Sequence, residues 1–228
     1  MSTDTPVLII AFQRKSDVER IIDRCISSGI RNIYLAIDGP KNDVQARTQC
    51  QIISFAKERA IDQNVNIKIW HRKLNYGAAV GVISAIDWFF SEVESGIILE
   101  DDLDFDQTFI DFIIFNLERF SKDEDVWMVS GNQFFESTNI LGSKLNWSHY
   151  PLIWGWGTWR SAWQEIRSLL FGKMPKNTSL PLHVRSYWKL GYSRAFTGLV
   201  DAWDIPLAAM MRFSNKLCVC PNQNLVSN

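Results

Sequence analysis

The sequence predicts an α/β fold with a mostly parallel central sheet and helices on both faces, on three observations. Short continuous apolar runs alternate with longer segments of helical periodicity from Val7 to Val129. The first run, Val7 to Phe12, is continuously apolar, as expected of a strand covered on both faces. With 228 residues, 46% hydrophobic and 21% charged, the chain is large enough for one substantial core. A βαβα alternation of this kind places ligands beyond the carboxyl ends of the strands.

The elements follow in order. Val7-Leu8-Ile9-Ile10-Ala11-Phe12 is the first strand. Ser16-Asp17-Val18-Glu19 reads as a capping box opening a helix with Val18, Ile21, Ile22, Cys25 and Ile26 on one side, and Gly29 as its stop. Ile33 to Ile37 is the second strand, closed by the turn signal Asp38-Gly39-Pro40. A helix from about Val44 to Ala60, a strand from Val65 to Trp70 and a helix from about Gly77 to Val93 come next. Ile97 to Leu99 is the fourth strand, followed by a helix from about Phe109 to Phe120 and a strand from Val126 to Val129. From about Asn132 the alternation stops. The remainder is rich in aromatics, Gly and Pro, with a helix near Trp159 to Leu170 and a strand around Cys218 and Cys220. The chain reads as one domain over 1–228, a ligand-binding half at 1–131 and a catalytic half at 132–228. It stops without a closing helix, which leaves C-terminal truncation as an open alternative.

A net charge near −1 gives no global reason to expect nucleic acid or an anionic membrane as partner. The four cysteines, Cys25, Cys50, Cys218 and Cys220, have no metal-ligand spacing and are expected as reduced thiols. There is no signal peptide and no apolar run of the ~18 residues that a membrane span needs. The expected location is cytoplasmic, with peripheral contact at the inner membrane face as an option.

Residues 100–106, "EDDLDFD", place five carboxylates directly after the fourth strand. Four readings compete. A solvated acidic turn capping the next helix suits Asp106, but the helix dipole repays only modestly the crowding of the others. A calcium loop starting at Asp102 would need Gly at position 107 and Glu at 113, where Gln107 and Ile113 stand. A phosphatase-type Asp-x-Asp-x-Thr fits Asp104 to Thr108 by letter but lies mid-chain and too far from its strand. The fourth, a clamp for Mn²⁺ or Mg²⁺ and a diphosphate, suits hard oxygen ligands and relieves the charge, and is preferred.

With these residues in hand the chain resembles the GT-A (Rossmann-like) glycosyltransferases, and among them N-acetylglucosaminyltransferase I and its bacterial relatives. Glu100-Asp101-Asp102-Leu103 is similar to that branch's Glu-Asp-Asp-Leu metal signature. "VLIIAFQR" resembles its first strand with a nucleotide-contacting Arg14, and "IDG" places Asp38 where the family binds uracil. "VWMVSGNQF", "YPLIWGWGTWRSAW" and "AWDIPL" follow in the family's order, so that the resemblance runs from Val7 to Asn228. One departure is Ile205, where the family has a second Asp after the catalytic one.

The resemblance implies a metal-dependent, inverting transferase moving a sugar from a UDP-sugar to a hydroxyl of a glycan or glycolipid acceptor. Asp102 would be the metal ligand, with Glu100 and Asp101 orienting ribose, sugar or metal-bound water. Asp204 would be the catalytic base and Asp201 its understudy. Trp156, with Trp154 and Trp159, would form an apolar wall for the sugar, and Gly155 and Gly157 would let backbone approach it. Two other readings stay open: a sugar-phosphate nucleotidyltransferase, against which the Gly-free "AFQRKSD" loop counts, and a non-catalytic domain that binds nucleotide-sugar or glycan.

Overall fold

The computed structural model describes residues 4–134, 145–170, 175 and 179–228. Its first half follows the predicted alternation: β1 (Val7–Ala11), α1 (Lys15–Ser27), β2 (Asn32–Ile37), α2 (Asp43–Asp62), β3 (Asn66–His71), α3 (Gly77–Glu92) and β4 (Ser95–Glu100). A two-residue β5 (Asp104–Phe105), α4 (Gln107–Arg119) and β6 (Val126–Ser130) come next. The remainder holds β7 (Leu145–Ser148), β8 (Trp156–Trp159), α5 (Arg160–Leu170), α6 (Leu182–Phe196), α7 (Asp204–Ser214), β9 (Leu217–Pro221) and β10 (Val226–Ser227).

Eight strands form one sheet in the order β3-β2-β1-β4-β8-β6-β9-β7, and β10 pairs with β5 apart from it. Strands β3, β2, β1, β4, β6 and β9 run in one direction, with β8 and β7 opposed. Helix α2 lies beside α1, and α4 packs on the sheet through Gly157, whose missing Cβ would sit 2.7 Å from Ile113 Cγ2. On the opposite face α3 and α5 meet through Trp163, whose indole N–H donates to Asp87, and α7 packs on α5. Helix α6 packs on α7, farther from the sheet. Val7, Leu8, Ile9, Ile33, Leu35, Ile97 and Leu99 are fully buried, as continuous apolar strands between two helical layers must be.

The sheet's order positions the site. From β1 the chain steps outward to β2 and β3, then returns through α3 to β4 on the other side of β1. The carboxyl ends of β1 and β4 therefore flank a topological switch point, where a crevice opens. Arg14 follows one of these strands and Glu100 ends the other.

Two local expectations are corrected. Ser16 to Glu19 form no capping box: α1 begins at Lys15 with Arg14 as its cap residue, and Glu19 pairs with Lys15 at 2.9 Å instead. Within the Gly-aromatic stretch Trp156–Trp159 form strand β8, inserted antiparallel between β4 and β6. Gly155 and Gly157 admit the rings and methyls of Phe109 and Ile113, so their small size serves helix packing rather than ligand approach.

Candidate active site

Asp101 sits in the turn after β4, buried, and accepts the backbone N–H of Phe12 at 2.9 Å. Arg14 Nη1 donates to Asp101 Oδ1 at 2.6 Å and to Asp102 Oδ2 at 3.0 Å. The cap residue of α1 is thus bound by its side chain to the acidic turn. Hydrogen bonding to Asp101 holds the Arg14 guanidinium above its ordinary value, while burial pushes the Asp101 carboxyl up against the pull of Phe12 and Arg14. Farther along α1, Arg20 donates to Leu103 O at 3.3 Å, and Arg24 pairs with Asp104 and donates to Phe105 O. Asp106 caps α4, accepting from the Thr108 N–H at 2.9 Å. The acidic run is therefore divided: Asp104 and Asp106 hold structure, Glu100 and Asp101 line the crevice, and Asp102 pairs with Arg14. Arg20 and Arg24 at i,i+4 spacing were the available signal for the first part of that division.

The Glu100 carboxyl is the one in this run that resists ionisation most clearly. Burial first, then repulsion from Asp102, Asp101 and Asp204, raises its carboxyl to about 7, and Arg14 offsets this only in part. Asp204, at the start of α7, thus lies close enough to act on Glu100 across more than a hundred residues of sequence. Because Glu100 is raised above its ordinary 4.5, the stability it contributes is complete below pH 4.5 and lost as pH rises through about 7. At ~1.4 kcal/mol per pH unit the loss is about 3 kcal/mol. Glu100→Gln is expected to remove that slope and to stabilise the metal-free protein at about pH 8. Urea unfolding of both proteins across this window checks it. Parallel pH profiles would refute the assignment.

Asp38 and Asp201 converge elsewhere, on the N-terminus of α3. Asp38 accepts from the N–H groups of Tyr76 at 3.1 Å and Gly77 at 3.2 Å. Asp201 accepts from Ala78 at 3.0 Å and Ala79 at 2.8 Å. Two carboxylates thereby satisfy four donors at the start of a helix that has no cap of its own. Gly77 is required there: its φ is +77°, and a Cβ would lie 2.7 Å from Asp201 Oδ2. Asp201, expected as an understudy base, is engaged as a cap instead. Asp38 lies 3.6 Å from buried Arg72, whose own donors go to Gly81 O and Ser84. Arg72 is thus part of the frame, while Lys73 is exposed.

Gln49, fully buried on α2, was not singled out from sequence. Its Nε2 donates to Phe12 O and Asp38 O, both at 2.9 Å, tying together the ends of β1 and β2. A mid-helix Gln carries no local signal of such a role. Ile10, Phe12, Asp38, Lys41, Gly77, Glu100 and Asp101 line a cleft of about 230 Å³. That is below the ~300–1,000 Å³ of most ligand pockets.

The tryptophan wall is corrected. Trp156 is 1% exposed and stacks on Trp203, ring centroids 6.0 Å apart, and Trp159 donates to Leu117 O inside the core. Neither offers a face to a ligand. Trp203 immediately precedes α7, so the stack joins the start of that helix to β8. Trp154 is half-buried and meets Phe134 edge-on.

No protein-family model matches the sequence, and no curated protein matches it. Among solved structures, residues 1–349 of S. aureus TarS superpose with a TM-score of 0.49 and 9% identity, over 97% of this chain and 59% of that one. The mannose-1-phosphate geranyltransferase from Thermus thermophilus does so with a TM-score of 0.49 and 10% identity, over 99% of this chain and 76% of that one. The chain thus spans less than two thirds of the TarS structure it resembles.

Proposed function

We propose that the chain is a GT-A-type, metal-dependent, inverting glycosyltransferase that moves a sugar from a UDP-sugar to an acceptor hydroxyl. The observation that supports it best is the convergence of Glu100, Asp101 and Asp102 with Arg14 and Asp204 at the switch point of the sheet.

Among the described residues no three His, Cys, Asp or Glu side chains are spaced to cage an ion by themselves. A Mg²⁺ or Mn²⁺ ion here would be held by one or two carboxylates and completed by phosphate and water oxygens. The donor set fits: all are hard oxygens, Asp102 is partly exposed, and neighbouring carboxylates add to the burial that raises Glu100. Asp102 would hold the ion, which when bound would supply positive charge to the departing diphosphate.

The chain's own residues do the rest. Arg14, already fixed on Asp101, stands beside the place where phosphate charge develops and can meet it without reorganising. Asp101 is held by the Phe12 N–H and anchors that arginine. The cleft beside Asp38 and Lys41 takes the nucleoside end of the donor. No described residue donates a hydrogen bond to Asp204, which leaves its carboxylate to take the acceptor hydroxyl's proton. A base acting on the acceptor requires attack from the face opposite the leaving group, hence inversion.

Calorimetric titration with UDP tests the reading. Binding is expected to need Mn²⁺ and to lose that dependence in Asp102→Asn. Metal-independent UDP binding by both proteins would overturn the metal site. Pyrophosphate release from UTP, in place of UDP release with an acceptor, would assign a nucleotidyltransferase instead.

A further inference from the structure

Helix α6 and the turn after it present a surface that the catalytic reading does not use. None of the 15 residues of α6 is buried. Its inner side rests on α7 through half-buried positions such as Trp188 and Gly191. On its outer side Leu182 is 71% exposed, Leu190 58% and Phe196 60%, and Leu199 in the following turn is 77% exposed. Single exposed apolar residues are ordinary on a protein surface, but a cluster on one short helix is not. At 100° per residue, Leu182, Lys189, Leu190 and Phe196 fall within roughly a third of the helix circumference, with Arg194 at its edge.

The charge of this region is one-sided. From Ser179 to Val200 the sequence contains no Asp or Glu and three Lys and Arg: Arg185, Lys189 and Arg194. The near-neutral total charge of the chain conceals it. Lys189 and Arg194 are both exposed beside the leucines.

We propose that α6 and the Thr197–Val200 turn form an interfacial anchor that lays the protein on a bilayer containing anionic phospholipid. Aliphatic and aromatic side chains interleaved with cations suit such a surface: the former enter the acyl boundary while the latter meet phosphates. A nucleic acid or an acidic polysaccharide would match the cations and leave Leu182, Leu190 and Leu199 in water. The helix lies on the membrane and does not cross it, since no described helix is long and apolar enough to span one. Its turn leads through Asp201 to Asp204, so docking would bring the acceptor end of the crevice toward the bilayer. The proposal does not depend on the catalytic reading and is tested without an activity assay.

Co-sedimentation of the full chain with vesicles provides the test, using phosphatidylcholine alone and phosphatidylcholine mixed with phosphatidylglycerol. Affinity for the mixed vesicles is expected to exceed that for neutral ones by about tenfold or more and to weaken as salt is added. The double variant Lys189→Glu/Arg194→Glu should lose about tenfold or more. Leu190→Ser/Leu199→Ser should release the part that salt does not remove, while Ile61→Ser, an equally exposed change on α2, should have no effect. Circular dichroism melts of each variant establish that the fold is kept. No vesicle binding by the parent protein, or binding that none of the α6 changes affects, would overturn the proposal. So would a parent dimer in light scattering that the leucine changes split, or heparin binding as tight as that to vesicles and unchanged by them.

Discussion

Asp204→Asn is expected to lower turnover by about 10²–10⁴-fold, the usual contribution of a positioned general base, and to leave UDP affinity within about twofold. The geometry requires this separation. Asp204 stands at the start of α7 and is not among the described residues that line the cleft at the ends of β1 and β2. Asn keeps the shape and removes the ability to take a proton. It also removes one of the charges that repel Glu100, so metal-free protein should become slightly more stable near neutral pH. Asp201→Asn separates the two candidates for the base. Loss of the charged cap on Ala78 and Ala79 should cost about 0.5–2 kcal/mol of stability and only a modest part of the rate. Steady-state kinetics with thermal melts of both variants decide it. If Asp201→Asn proved the dead enzyme and Asp204→Asn the active one, the roles would be exchanged.

The second large effect is on stability. Trp156→Ala should cost about 3–5 kcal/mol, because it removes a fully buried ring between β4 and β6 and takes the support from under Trp203. Trp156→Phe retains part of the stack and should cost less, with UDP affinity close to that of the parent. A sugar-binding Trp would behave otherwise, losing donor affinity in both variants while the melting temperature stayed put. Denaturant unfolding and UDP titration of the pair distinguish a ring that packs from one that binds.

Much of the first half was legible because its signals are local. The apolar run of β1, the helical spacing of Val82, Ile86 and Phe89 on α3, and Asp106 as the cap of α4 depend on neighbours a few residues away. Strand β8 was not legible. Trp156 to Trp159 is an aromatic stretch beside two glycines, and only the side chains of Phe109 and Ile113, more than forty residues earlier, explain why those glycines must be small. The failed capping box at Ser16 has the same origin, since Arg14 is held in place by Asp101 and Asp102 rather than by its own helix.

By itself the sequence determined that a parallel α/β sheet would form and that a block of carboxylates would hang from the end of one of its strands. Hydrophobic period and turn chemistry suffice for that. Which acids would face the crevice was decided only by the tertiary structure. Asp201 reaches across 123 residues to Ala78, on the helix terminus that Asp38 also caps, and Asp104 meets Arg24 on α1. Glu100 and Asp101 line the cleft, and the charges of Asp102 and Asp204 bear on Glu100. Chemically equivalent side chains receive different roles from contacts between distant segments, and no local periodicity encodes such contacts.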